Sequence, residues 1–474
     1  MKKVLIIGAG PGGFYLATHI ATLGKNYEVT IVEKKDIGGT CLNIGCIPTK
    51  ALLDNLSLFE HFNNSISKKN LFTPNEHNIN LEGFRKHQEE IIKQLRQGIE
   101  STLKKHKITL IEGEASFVSG KKVLVKIKQG ENKQIEADEI IIATGSKPKP
   151  VPSFEIDGEK VVTSDDLWNI PKVPKTLLIV GTGPIGVEFA RVYKTLGSEV
   201  KMAEIKETIC PILDGEISEN LQRSLKKRGI KASANIASKQ METKNNLVRV
   251  GFLSAEDSKH NTEEDLEQVL IATGREPNIK SLSLDKAGIE LDKQGFIKVD
   301  SYLQTNIENI WAIGDVTNFP QLAHTASFQA KVVAENIVSG KKQKQFDSRF
   351  IPACIYGYPE IAFVGKTEEE LKDGKINYVK GTSLFLASGK AKASGLTEGL
   401  VKVLIEKDTK EILGAHIIGP EASNLIHEFV VAMQCGITAE KLYDVIHAHP
   451  TYAETVYEAI ENGLKQLTKI EAVS

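Results

Sequence analysis

The sequence predicts an α/β chain containing two dinucleotide-binding units, and three observations carry the prediction. "VLIIGAGPGGFYLA" at Val4 to Ala17 recurs as "LLIVGTGPIGVEFA" at Leu177 to Ala190, each time an apolar strand, a glycine-rich turn and the start of a helical pattern. Each copy is followed about 20 residues on by a carboxylate at the end of the next strand, Glu33 in "VTIVEK" and Glu204 in "VKMAEI". A second repeat closes each unit, "EIIIATGSKP" at Glu139 to Pro148 and "QVLIATGREPN" at Gln268 to Asn278. A single fingerprint is weak, but two with matched acidic residues define a pair of Rossmann-like units.

Composition removes several other classes. The 474 residues, 41% hydrophobic and 26% charged, leave room for roughly three domains of about 150 residues each. Sixty basic residues against 61 acidic ones give a formal charge of −1, so there is no basic field to draw nucleic acid or anionic lipid. No stretch reaches the roughly 18 consecutive apolar residues of a membrane span, and the opening "MKKVLII" breaks at Gly8 without a cleavage site, as a first strand does. The cysteines are five, an odd and scattered set, which suggests a reducing compartment and a cytoplasmic location.

In chain order, the first fingerprint uses Gly8 for the tight turn, Gly10 for backbone approach to a pyrophosphate and Gly13 for close helix packing. "GGTCLNIGCIPTK", Gly38 to Lys50, then sets Cys41 and Cys46 apart by four residues, and a helical pattern continues through "KALLDNLSLF". After a loop from Asn63 to Asn78, apolar Ile91, Ile92, Leu95, Ile99 and Leu103 recur at helical spacing, a pattern read as packing. About 135 residues separate Gly8 from Thr144 but about 92 separate Gly181 from Thr273, so the first unit carries an insertion that holds the cysteine pair. The second fingerprint repeats the logic with Gly181, Gly183 and Gly186.

These motifs, with "IWAIGDV", "LAHTAS" and "HAHPTYAE" in the same order, make the chain resemble the flavin-dependent pyridine nucleotide-disulfide oxidoreductases over essentially its whole length. The resemblance implies an FAD-binding domain at 1–149, an inserted NAD-binding domain at 150–271, a return segment at 272–345 that completes the flavin site, and an α+β dimerisation domain at 346–474. It implies a homodimer with shared active sites.

Within that frame the two thiols read as a redox pair. A zinc site would want a second closely spaced pair, and a structural disulfide across so short a loop would constrain little. Thiols near a helix start are biased toward thiolate. By resemblance, Cys46 lies nearer the flavin and Cys41 exchanges with substrate. His449, five residues before Glu454 with Pro450 between, offers an imidazole near neutrality and a carboxylate to orient it; in the family the matching pair is the acid/base and its partner. His447 raises a His-x-His metal reading, which lacks further ligands, and no metal is expected.

Further positions carry over by motif. Lys50 and Glu188 match a pair beside the isoalloxazine, Ala115 an adenine-side contact, and Asp315 the acid that meets the ribityl chain. Leu322, Ala323 and His324 match the flavin-lining return segment, and Thr40, Thr144 and Gly145 complete the expected FAD contacts. On the nucleotide side Ile185, Ile236 and Gly274 join Glu204, which favours NAD over NADP. The chain departs from the family pattern at Pro184, Gln329-Ala330 and Gly357.

For the substrate, "LTKIEAVS" lacks the extra C-terminal cysteine pair of some members, and "IPTK" and "AEIKET" differ from the glutathione-reducing branch. Dihydrolipoamide is therefore the expected dithiol, with another low-molecular-weight disulfide, or a flavoprotein kept as a scaffold, as alternatives. No lipoyl segment is recognised before the first fingerprint, so the lipoyl group is expected on a partner, the lipoyl domain of a 2-oxo acid dehydrogenase or glycine cleavage complex.

Overall fold

A computed structural model describes residues 1–67, 79–168, 170, 172–254 and 261–471. The first sheet has seven strands in the order Ile310–Ala312, Glu139–Ile142, Lys2–Ile7, Tyr27–Glu33, Thr109–Ser119, Lys122–Ile127 and Lys133–Glu136. Its first five strands are parallel and the last two antiparallel. Lys2–Ile7 and Glu139–Ile142 are near-continuous apolar runs because both faces of the sheet are covered, one by helices and the other by Phe117, Val123 and Val125 of the antiparallel strands together with Leu282, Leu284 and Ile289. Helix α1 (Pro11–Leu23) packs on it, starting at a proline that cannot use its missing N–H. Gly8 has φ +108 and Gly181 φ +98, a region that disfavours any side chain, and a Cβ there would run into the carbonyl of Ala143 or Ala272.

Helices α2 (Gly39–Asn43), α3 (Cys46–Ser67) and α4 (Leu81–Lys105) form the insertion. The expected loop from Asn63 is helical to Ser67, where α3 ends, and residues 68–78 lie outside the described ones. One correction falls on α4. Leu95 is 43% exposed, whereas the adjacent Arg96 turns inward to the cysteine segment, so the packing stripe is Ile92, Ile99 and Leu103.

The second unit has a five-stranded parallel sheet ordered Lys231–Ser233, Glu199–Ala203, Thr176–Val180, Gln268–Ile271, Val161–Thr163. It carries α5 (Pro184–Thr195) and α6 (Gly215–Lys227), with a three-stranded antiparallel sheet alongside. The chain enters and leaves this unit through a two-stranded ribbon in which Ser146–Pro148 pairs with Arg275–Pro277. Helix α7 (Ala323–Ser339) then returns to pack on α1.

The last unit is a five-stranded antiparallel sheet, Ala353–Ile355, Glu360–Gly365, Ile412–Gly419, Leu400–Glu406 and Tyr378–Leu384. Short helix α8 (Glu368–Asp373) and the closing helix Ala453–Glu471 flank it. One apolar core runs through Leu52, Leu53 and Leu56 of α3, the second unit's sheet, and Ile355, Ile361, Leu400 and Ile418 of the last sheet, which fixes the cysteine helix against both neighbours. Among the described residues no helix is long and apolar enough to cross a membrane.

Candidate active site

Cys41 sits in α2 and Cys46 is the first residue of α3, where the helix dipole favours a negative charge. The thiols are hydrogen-bonded to each other. Cys41 donates, so the bond and its burial push the Cys41 thiol well above the ordinary range. Cys46 is lowered to about 7, first by that hydrogen bond and then by the charge of Lys50, against the opposing effect of burial. The charge of the reduced pair is therefore localised on Cys46.

Lys50 lies one helical turn beyond Cys46, on the same face of α3. Its Nζ donates to both oxygens of Glu188, at 2.9 and 2.7 Å, and rides 4.8 Å above the Tyr356 ring. Burial works to lower the Lys50 pKa, but Glu188 outweighs it and holds the ammonium charged. The N–H of Tyr356 donates to Glu188 Oε1 at 3.1 Å, which ties this pair to the last unit.

Two residues of α4 hold the cysteine segment from behind. Arg96 Nε donates to Asn43 Oδ1 at 2.5 Å, and Asn43 Nδ2 donates to the carbonyls of Ile37 and Gly39. Buried Gln88 donates to the Pro48 carbonyl at 2.8 Å. Neither was legible in the sequence, since long polar side chains are unremarkable on a charged helix.

The return segment brings Asp315 into contact with Ser146, whose hydroxyl donates to Asp315 Oδ2 at 2.5 Å. Arg275 donates through Nε to that same hydroxyl and through a terminal nitrogen to the Ser146 carbonyl. Burial raises the Asp315 pKa. Ser146 and Arg275 each directly follow an Ala-Thr-Gly, so the repeat itself was the signal that could have found them. Leu322 caps α7, Ala323 begins it, and His324 Nε2 meets the Pro352 carbonyl at 2.7 Å. Burial lowers the His324 pKa. Gln329, a departure from the family pattern, is fully buried and accepts from the Gly314 N–H at 2.6 Å.

In the fingerprints, Glu33 accepts from the Ala9 N–H and Glu204 from the Thr182 N–H. Thr40 lies in α2, Ala115 in the strand Thr109–Ser119, Ile185 in the first turn of α5 and Ile236 at the start of Ile236–Lys244. Gly357 lets the last unit approach α5: a Cβ there would come to 2.9 Å from Val187 Cγ1, and its carbonyl accepts from Arg191 at 3.0 Å. Pro184 opens α5 at a position where proline is well suited.

His449 stands apart. Its Nδ1 is 2.7 Å from Glu454 Oε1, and the Thr451 N–H fixes the other carboxylate oxygen at 2.8 Å. The hydrogen bond with His449 is the main cause lowering the Glu454 pKa. The imidazole is 78% exposed, and among the described residues no hydrogen bond or ion pair links the dyad to the cysteine segment of its own chain. His447 is engaged elsewhere, with Glu428 at 3.0 Å and the Val445 carbonyl at 2.9 Å.

A dithiol beside one dinucleotide fingerprint, joined by an ion pair to the helix of a second, defines a dithiol-disulfide oxidoreductase that works with two nucleotides. The chain belongs to the pyridine nucleotide-disulphide oxidoreductase family: residues 2–330 match that family and 351–460 match its dimerisation domain. It is 38% identical over 97% of its length to a mitochondrial dihydrolipoyl dehydrogenase of Pisum sativum, covering 90% of that protein. Against dihydrolipoyl dehydrogenase 3 of Pseudomonas putida it is 37% identical, covering 97% of each. A Cu(II) complex of the HOCl-induced flavoprotein disulfide reductase RclA from Escherichia coli superposes with a TM-score of 0.85 at 28% identity, over 97% of this chain and 99% of that one.

FAD and NAD(H) are the cofactors of this family, and the residues present fit them. The Thr144 and Thr325 hydroxyl oxygens are buried without a partner, next to Gly145 and His324 respectively. A Cβ at Gly145, Gly183 or Gly274 would meet nothing within 4 Å, so these turns leave open room beside the backbone.

Proposed function

We propose that the chain oxidises dihydrolipoamide carried on the lipoyl domain of a 2-oxo acid dehydrogenase or glycine cleavage complex. The observation that carries this reading is the Cys41 and Cys46 pair, with Cys46 at the start of α3 one turn before the Lys50–Glu188 ion pair. The assignment to dihydrolipoamide is supported by the similarity to dihydrolipoyl dehydrogenases.

The active form begins as a Cys41–Cys46 disulfide. With Nδ1 directed at Glu454, His449 acts through Nε2, taking a proton from one substrate thiol. The resulting thiolate attacks the Cys41 sulfur, forms a mixed disulfide and releases Cys46 as a thiolate, the form its surroundings favour. The second substrate thiol then closes the lipoamide disulfide and frees Cys41, which takes up the proton. When bound, FAD would supply the two-electron carrier between the Cys41–Cys46 pair and a nicotinamide nucleotide held by the second unit. Lys50 stays protonated beside Glu188 and stabilises negative charge on Cys46.

We assign 1–149 and 272–345 to the FAD unit, with Gly8, Gly10, Gly13, Glu33, Thr144 and Asp315 among its contacts, 150–271 to the NAD unit, and 346–474 to dimerisation. His449 and Glu454 serve the partner subunit's thiols, a reading supported by the exposure of the dyad. We place the reaction in the cytoplasm, where the free Cys435, exposed at the surface, stays reduced. The test is a steady-state comparison of dihydrolipoamide with NAD against glutathione disulfide with NADPH. Dihydrolipoamide is expected to win by orders of magnitude, and preference for the glutathione couple would refute the substrate.

A further inference from the structure

Glu33 and Glu204 hold the same place in the two fingerprints but keep different acceptor capacity. An ionised carboxylate offers about four lone-pair sites, two on each oxygen. At Glu33, Oε2 accepts from the Ala9 N–H at 2.7 Å and Oε1 from the Lys35 N–H at 2.8 Å. One site stays open on each oxygen. At Glu204, Oε2 accepts from both the N–H and the hydroxyl of Thr182, at 2.9 and 2.8 Å, while Oε1 accepts from the Lys206 N–H at 3.0 Å. Oε2 is full and only Oε1 has room.

The difference is one hydroxyl. Ala9 in the first turn corresponds to Thr182 in the second. Thr182 is completely buried, and its oxygen also accepts from the Cys210 N–H at 2.8 Å, an arrangement that commits the hydroxyl hydrogen to Glu204. The adenosine ribose of a dinucleotide brings two hydroxyl donors, so Glu33 can accept from both and Glu204 from one.

We propose that Thr182 sets the affinity of the second unit for its nucleotide by occupying Glu204 Oε2 and so limiting the carboxylate to a single ribose hydrogen bond. A nucleotide that serves as a substrate must leave in every cycle, whereas a resident cofactor must stay. Ala9 suits the resident and Thr182 the exchanging one. The inference rests on the assignment of the second unit to NAD made above. Thr182 acts through Glu204 and touches no reacting atom.

The experiment measures ADP-ribose and NAD binding to the FAD-loaded dimer by calorimetry, with NADH release followed by stopped-flow displacement. Thr182→Val keeps the shape and removes the hydroxyl, and Thr182→Ala is a second route should the valine form fold poorly. Opening one acceptor toward a ribose hydroxyl on a charged group is expected to tighten ADP-ribose about tenfold and to slow NADH release correspondingly. Thr182→Ser retains the hydroxyl and is expected to bind as wild type does. Unchanged or weaker binding in the variants lacking the hydroxyl would overturn the proposal, because a merely supporting role cannot raise affinity. Glu204→Ala separates the two levels: if it binds ADP-ribose as well as wild type, the ribose assignment itself fails, and if it weakens binding while Thr182→Val changes nothing, only the role of Thr182 fails.

Discussion

Lys50 is paired with Glu188, and its charge lowers the Cys46 pKa as a contribution second to that of Cys41. Removing the ammonium removes a stabiliser of the thiolate, so Lys50→Met is expected to move the ionisation of Cys46 upward from about 7. Iodoacetamide alkylation of the dithiothreitol-reduced protein across pH, with the modified peptide identified by mass spectrometry, reads that midpoint. An unmoved midpoint would mean that the Cys41 hydrogen bond alone sets it. Cys41 and Cys46 were legible from their spacing in a glycine-flanked segment, whereas Lys50 and Glu188 were named by resemblance to the family, and the structure brings that pair together. Arg96 and Thr182 were not legible: Arg96 acts across 53 residues on Asn43, and a threonine in a glycine-rich turn has an unexceptional structural reading.

Between elements, one brace is ionic and buried. Lys402, on Leu400–Glu406, is 1% exposed and donates to Asp214, the cap of α6, at 2.8 Å and to Glu368 of α8 at 2.6 Å. Asp214→Ala leaves Lys402 paired with Glu368 but removes one buried carboxylate and strips the Glu216 and Glu368 N–H groups of their acceptor, so it is expected to destabilise by about 1–3 kcal/mol. Urea unfolding at fixed protomer concentration checks it, and a loss below the scale of a surface pair would mean that water or Glu216 compensates.

The same brace predicts acid behaviour. Burial opposes ionisation of Glu368, but hydrogen bonds from Lys402, Lys372 and Tyr378 outweigh it and hold its pKa at about 2 instead of the ordinary 4.5. Folding thus disfavours protonation, so this stabilisation is complete above about 4.5 and is lost progressively as pH falls toward about 2. Melting temperature followed over that window should fall less steeply in Glu368→Gln than in wild type. Lys402 was readable in principle, since it shares a strand face with Leu400 and Leu404 and an ammonium placed there requires partners. Which carboxylates supply them depends on how the second and last units pack, and no local pattern in either segment encodes that.

The molecule as a whole makes its catalytic prediction through the dimer. Cys41→Ser and His449→Ala homodimers should each lose about 10²–10⁴ in rate with dihydrolipoamide. An isolated hybrid of the two should recover roughly half of wild-type activity, because one of its sites then pairs an intact Cys41 with an intact His449. A hybrid as inactive as its parents would place the histidine in its own chain's site. At this scale the order of units was legible from the two repeats and the family resemblance, whereas the sharing of one core among α3 and two units was not.

The ribbon that pairs Ser146–Pro148 with Arg275–Pro277 brings the two ends of the second unit side by side, with Pro148 opposite Arg275. Covalently, that unit is a cassette, excisable at a single point with the remaining ends close enough to be rejoined by a short linker. Noncovalently it is not, because Leu52, Leu53 and Leu56 of α3 are part of its core. Grafting a related nucleotide unit at the ribbon would therefore preserve the path of the backbone while exposing or clashing with the helix that begins at Cys46. A transplant that keeps the dithiol geometry has to bring the matching apolar face of α3 with it, so the interchangeable module is larger than the segment its two junctions enclose.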